Sequence, residues 1–425
     1  MTCRPVAIAF ATVLAVSSTA WAQAIATPGE VGPSLEMLAS GASRGTGVAT
    51  GLKLGDEAIL HAGVFADIGY DTNVFYSRDQ RSSAVLHLLP KLELSNAERD
   101  GSVPSLTHYI IFATLDWRKY LTSDDAVITQ DALNPSLGAA VQISPHRSFT
   151  LTLTDTFTRS QQAPFSAGEP ITRDYNLASV NLRYSPGGGR LTINLRYSNT
   201  IDKYEGSYDR GSNMTNEVVL DGGLQFLPKT AFYAQVSQGA VTYFNSGNVN
   251  SFPLRTTVGL RGLVTAKLSV NLGAGYINAF YSSGASPSGV DGNLGGVAEV
   301  NYTMGPLARA GLGYRHGFAN SPFVGQYYNA DAIYAAYQQL IARRFTAYLY
   351  GRYENRRFGA LPVGASRTDN YALGGVSLDY AVVGRFLLLG ASYDIHVNRA
   401  TESGGQTGAV DFTKQVLLFR LGLVY

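Results

Sequence analysis

From about residue 58 to the end, apolar and polar side chains alternate along the chain with a period of two, the repeat of extended strands whose two faces meet different surroundings. The last fifteen residues carry the pattern most plainly. Leu417, Phe419, Leu421, Leu423 and Tyr425 share one face, while Lys414, Val416, Leu418, Arg420 and Gly422 share the other. Burying Arg420 is costly unless its face meets water, so the alternation assigns the Phe419 to Tyr425 face to lipid and the Arg420 face to an aqueous interior. Tyr425 then falls at a membrane interface, where an amphipathic ring is favoured. The same rhythm recurs in Leu191, Ile193, Leu195 and Tyr197 against Thr192, Asn194, Arg196 and Ser198. Weaker segments, 106 to 120 and 327 to 342, admit a one-residue slip that would exchange their faces.

The segments number about eighteen, each of the length of a tilted membrane strand. Short connections at 144–147, 185–189, 227–230, 265–267, 304–306, 342–344 and 383–384 alternate with longer polar links such as 71–82, 161–171, 203–213 and 399–410. If the strand beginning near 58 runs outward, every short connection falls on the side that holds both ends of the barrel. That parity predicts an all-β fold: a closed antiparallel transmembrane barrel of about eighteen strands, with short periplasmic turns and longer extracellular loops. It also predicts that 411–425 pairs with 385–398 and closes the sheet against 58–70, satisfying the edge groups that lipid cannot.

The ends and the composition fit this reading. Arg4, the apolar run Val6 to Val16 and the small-x-small Ala20, Trp21, Ala22 read as a secretory signal over residues 1–22. Residues 23–56 are rich in small residues without periodicity and are expected to form a periplasmic segment, either a linker or a partial plug; residues 57–425 form the barrel. The single cysteine, Cys3, lies within the signal, so no disulfide framework is expected. Twenty-six tyrosines, 46 glycines and only 15% charged residues suit strands with one lipid face better than a large soluble all-β protein, the competing class. A net charge of +2 gives no reason to expect a nucleic-acid partner.

On this register the water-facing side carries Arg183, Arg196, Arg255, Arg261, Arg309, Arg315, Arg352 and Arg420 with Asp67, Asp221, Glu299, Glu354, Asp379 and Asp394. Such a mixed-charge wall pairs across neighbouring strands, and its arginine forks suit carboxylates. Phe65, Tyr233, Tyr348, Tyr350 and Tyr371 are candidates for inward aromatic faces, which more often complete interfacial belts or fill space than form a slide for sugar rings. Catalytic groupings are scarce: the six histidines are scattered without ligand spacing, so neither a metal nor a cofactor is expected. Asp394 and His396 share a face, yet no serine nucleophile is tied to them. Asp124 and Asp125 read as a solvated loop rather than a cation site.

Leu52 to Gly55, leading through the first strand into Tyr70, Asp71, Thr72, Asn73, Val74 and Phe75, resembles the opening of the β-barrel porin type 2 family, outer-membrane barrels of exopolysaccharide and capsule secretion loci that include myxobacterial polysaccharide-export barrels. Ser83 to Ser95 resembles that family's second strand, so the likeness covers about 45 residues. It implies a channel for a secreted polysaccharide, working with a periplasmic co-polymerase or export protein; a diffusion porin for small solutes is the alternative, and a surface hydrolase a third. Within the motif, Asp71 and Asn73 are expected to turn the backbone and Tyr70 and Phe75 to anchor the interface. Phe419, Leu421, Leu423 and Tyr425 resemble the carboxy-terminal signal read by the barrel-assembly machinery.

Overall fold

The computed structural model describes residues 51–425 apart from 56–57, 97–105, 145–146, 163–170, 188, 246–247, 283–292, 306, 322–325, 343, 359–365, 384–385 and 404–410. The signal expected at 1–22, and the segment after it as far as residue 50, lie outside the described residues. Nineteen strands follow one another: β1 (Leu52–Leu54), β2 (Ala58–Asp71), β3 (Ser83–Ser95), β4 (Thr107–Leu121), β5 (Ala132–Ile143), β6 (Phe149–Gln162), β7 (Ile171–Tyr184), β8 (Leu191–Tyr204), β9 (Asn213–Leu227), β10 (Thr230–Tyr243), β11 (Leu254–Leu263), β12 (Leu268–Asn278), β13 (Asn293–Thr303), β14 (Ala308–Ser321), β15 (Gln326–Ile341), β16 (Phe345–Phe358), β17 (Ser366–Val383), β18 (Leu387–Ser403) and β19 (Phe412–Val424). Each of β2 to β19 pairs antiparallel with its neighbours in sequence, and β19 returns to β2 from Val416↔Asp71 to Val424↔Gly63. Reciprocal backbone bonds between Ala62 and Tyr425, at 3.2 and 2.8 Å, finish the seam. The barrel therefore has the eighteen strands that the alternation predicts. The additional β1 pairs with the base of β2 and comes from a stretch expected to lack periodicity.

The parity of the connections also holds, with one exception. Seven of the eight links on the side of the termini are short, whereas β3 and β4 are joined across residues 96–106. Strands 106–120 and 327–342 are found at Thr107–Leu121 and Gln326–Ile341.

The outer surface fixes the membrane position. Phe419, Leu421 and Leu423 stay 55%, 47% and 56% exposed, and exposed Leu, Ile, Val and Phe recur on alternate positions of the other strands. Near the short turns, outward aromatic pairs form a girdle: Phe149 on Tyr184 with centroids 4.5 Å apart, Phe226 on Phe232 at 4.3 Å, Phe345 on Tyr380 at 4.4 Å and Phe386 by Tyr425 at 6.0 Å. A second girdle lies above it. There the hydroxyls of Tyr70, Tyr197, Tyr314 and Tyr353 each donate at 2.7 Å to Ser82, Asn216, Asp331 and Asn370. Phe345 and Tyr353 are eight residues apart on β16, as are Ala62 and Tyr70 on β2, a rise of about 20 Å for strands tilted by roughly 40°. Two aromatic girdles flanking an apolar band of about that height are the signature of an outer-membrane barrel.

Candidate functional site

The register sets all fourteen expected lumenal residues on the inner face, and most of them are paired there. Arg420 grips Asp67 with Nε and Nη2, both at 2.8 Å, across the closing seam. Arg261 holds Asp221 in a second fork at 2.9 and 2.8 Å. Arg315 donates to Glu299 at 3.2 Å, and Glu299 also accepts from Tyr334. Glu354 sits between Arg352 and Arg356. Asp394 accepts from Tyr350, and Asp379 lies across Gly390 beside Arg420. Arg309 Nε donates to Gln338 at 2.5 Å. Arg255 and Arg196 approach the same carboxylate, Glu217, only to 3.7 and 3.9 Å. Arg183 is exposed on the inner face of β7.

These side chains divide the lumen into two unlike walls. From β7 to β14, below the buried Arg173–Asp202 pair near the rim, six arginines (183, 196, 255, 261, 309 and 315) face three carboxylates (217, 221 and 299). The side chains of Arg196 and Arg261 are 48% and 39% exposed there. From β15 round to β4, cations and carboxylates recur together without an excess of arginine, and several of them are packed away in pairs. The side chains of Arg352, Arg367 and Lys414 are 16%, 11% and 7% exposed against partners at 6% or less. The first wall carries an excess of arginine that is partly open to water, while the second carries no such excess and holds several of its charges in buried pairs.

The inward aromatic rings are laid down on the wall. Phe65, Tyr233, Tyr348, Tyr350 and Tyr371 all face inside, but a Cβ on Gly273 would stand 2.2 Å from the Tyr233 hydroxyl and one on Gly313 2.2 Å from the Tyr334 ring. Gly138 receives Phe112, Gly375 receives Tyr350 and Gly422 receives Phe65 in the same way. Glycine on one strand thus makes room for a ring from a nearby strand, a pairing that covers exposed backbone and stiffens the register. Tyr233 then lies 4.9 Å beneath the Arg261 guanidinium and Phe65 5.8 Å beneath that of Arg420. With Tyr348, Tyr233 and Tyr371 only 3 to 8% exposed, these rings fill the wall, the commoner of the two readings, and offer no open face for a sugar slide.

The Tyr70 to Phe75 stretch has a different place from the one expected. Tyr70 does face outward at the upper girdle, but Asp71, Asn73, Val74 and Phe75 are all buried inside the mouth. The Asp71 carboxylate accepts from the Asn73 N–H at 2.9 Å and pairs with Lys414 at 2.7 Å. Asn73 Nδ2 donates to the carbonyls of Ser77 and Thr413, at 2.8 and 3.0 Å. Val74 and Phe75 pack with Val85, Tyr120, Val127, Val416 and Leu418, so Phe75 anchors an apolar cluster within the barrel and no membrane interface. Tyr76, held at φ 52°, stands over the Lys414 ammonium at 3.9 Å; burial, and then the Asp71 carboxylate, push its phenol well above the ordinary range. Val127 comes from a one-turn helix, α1 (Asp125–Ile128), capped by Asp124, which also takes two bonds from Arg81 at 3.0 and 3.1 Å. Asp124, expected with Asp125 in a solvated loop, is therefore a helix cap that ties the two inturned segments together, with Asp125 in the first turn behind it. Asp394 and His396 share the inner face without bonding each other, as a chance same-face placement would: His396 Nδ1 bonds the Tyr371 hydroxyl at 2.8 Å and Asp394 accepts from Tyr350.

These features define the class. The chain is a β-barrel of the bacterial outer membrane enclosing a polar lumen. No family model matches it, and no curated protein matches its sequence. Among solved structures it is similar to Pseudomonas aeruginosa OpdK crystallised with vanillate, at 11% identity and TM-score 0.47 over 86% of this chain and 99% of that one. Acinetobacter baumannii OccAB4 gives 13% and 0.47 over 86% and 98%, and the siderophore receptor PirA of Pseudomonas aeruginosa 9% and 0.44 over 88% and 81%. These similarities are of barrel form alone.

Proposed function

We propose that the protein is a passive diffusion channel for small water-soluble solutes, with a preference for anions. The observation that carries this reading is the contrast between the walls: a path along β7 to β14 holds six arginines against three carboxylates, with Arg196 and Arg261 open to water, while the opposite wall has no excess of arginine and holds several of its charges in buried pairs. A small solute needs only that path. A polysaccharide chain, which the resemblance of the Tyr70 to Phe75 stretch implies, needs continuous clearance past the mouth, where residues 72–82 and 122–131 turn inward. The fourteen lumenal charges would then set ion preference, and Phe419, Leu421, Leu423 and Tyr425 would present the assembly signal from the lipid face.

Purified barrel in liposomes decides between the two. Swelling with monosaccharides and a cut-off among oligosaccharides is expected, together with a reversal potential in a KCl gradient that reports chloride preference. Swelling without a size limit, or secreted polymer trapped in the periplasm when the gene is deleted, would transfer the protein to polysaccharide export.

A further inference from the structure

One strip at the β6–β7 edge of the arginine-rich wall has a chemistry the charge pattern alone does not explain. Every inward position of β6 from 150 to 158 is threonine. Opposite them on β7 stand Ser179, Asn181 and Arg183, paired in register with Thr154, Thr152 and Thr150. The Thr154 and Ser179 hydroxyls meet at 2.6 Å, which leaves each with further bonding capacity toward the lumen. A β-branched threonine holds its hydroxyl in a restricted set of rotamers, so the row presents fixed polar atoms where valine would have the same shape and none.

Arg183 and Arg196 border this row. Asn181 pairs with Arg196 and Arg183 with Asn194, so the two arginines are diagonal neighbours across β7 and β8, about 7–8 Å apart at their backbones. Both are exposed, and the one carboxylate near Arg196, Glu217 at 3.9 Å, is already bonded by Ser237 and approached by Arg255. Two guanidinium forks rooted at diagonal positions on one inner face can both reach an anion lying between them, which offsets their mutual repulsion.

We propose that this strip is a binding subsite for a small polyhydroxylated carboxylate, a sugar acid. The carboxylate sits between Arg183 and Arg196, and the hydroxyls exchange hydrogen bonds with Thr152, Thr154 and Asn181. A neutral sugar lacks the first contact and a simple carboxylate lacks the second. The inference rests on the small-solute channel reading and names its solute.

Single-channel recording in planar bilayers tests it, with glucuronate, glucose and acetate added in turn to KCl. Glucuronate should interrupt the current at concentrations about tenfold below those at which glucose or acetate does so, the effect of one charge-assisted bond. The Arg183→Gln, Arg196→Gln double variant should weaken the glucuronate effect about tenfold or more while open-state KCl current persists. The Thr152→Val, Thr154→Val variant, which keeps side-chain shape, should weaken glucuronate and leave acetate unchanged. Equal interruption by glucuronate and acetate, or full retention in both variants, overturns the subsite and leaves the channel standing. Absence of KCl current in the unaltered protein would overturn both.

Discussion

Replacing Arg420 by alanine tests how the barrel is closed. The Arg420 fork is one of two charged links across the β2–β19 seam, the other being Lys414 with Asp71, and its removal strands Asp67, which is 0% exposed and has no other hydrogen bond among the described residues. Breaking a buried pair by removing one partner costs about 3–5 kcal/mol. The arginine side chain is 24% exposed, so some water reaches the site, and the lower end of that range, about 3 kcal/mol, is expected. Removing both partners leaves no stranded charge, so Asp67→Ala, Arg420→Ala should lose less than the two single changes together, by a coupling of about 2 kcal/mol. Urea unfolding from lipid vesicles measures this through Trp117, which faces outward on β4 and is the one tryptophan beyond residue 22. A single-variant loss below about 0.5 kcal/mol, or strict additivity in the double variant, would refute the reasoning, because the fork would then add nothing to the backbone ladder of the seam.

Three further outcomes follow from the same geometry. Leu421→Arg, on the lipid face one residue beyond Arg420, should lower unfolding free energy by about 2–4 kcal/mol, where an equal charge on the lumenal face is tolerated; vesicle unfolding compares it with Thr152→Arg. Gly313→Val places a Cβ within the Tyr334 ring and should cost about 1–3 kcal/mol, recovered in large part by adding Tyr334→Ala. Lys414→Met removes the partner of the buried Asp71 and the cation beneath Tyr76, and should free the inturned 72–82 segment; its signs are trypsin cleavage at Arg78 or Arg81 in intact vesicles and a rise in single-channel conductance.

The architecture was legible because lipid and water impose opposite demands on successive residues. Phe419, Leu421 and Leu423 stand outward and Arg420 inward as the alternation required, and the alternation of short and long links located the seam before any partner was known. β1 was not legible, since three residues are too few to display a period. Nor were the rings resting on glycine. That pairing joins Gly273 to Tyr233 forty residues away, two strands over, and alternation specifies a face while leaving the neighbour on that face unstated.

The inturned mouth is the instructive case, because its signal was present in the best-read strand. On the face of β19 that carries Arg420, the positions nearer the rim are Val416 and Leu418, apolar groups on a side assigned to water. Val85 on β3 shows the same exception. Apolar side chains on the wet face of a barrel need apolar cover, and the chain provides it with Val74, Phe75 and Val127. Asp71 and Asn73 were correctly expected to turn the backbone, but the direction of the turn depends on what waits inside. An outward loop would leave Lys414 facing bare wall; the inward one gives it Asp71 and the face of Tyr76. Departures from strict alternation near the outer ends of strands therefore carry information about loops, and in this chain they indicate which sector of the lumen is filled and which is left to water.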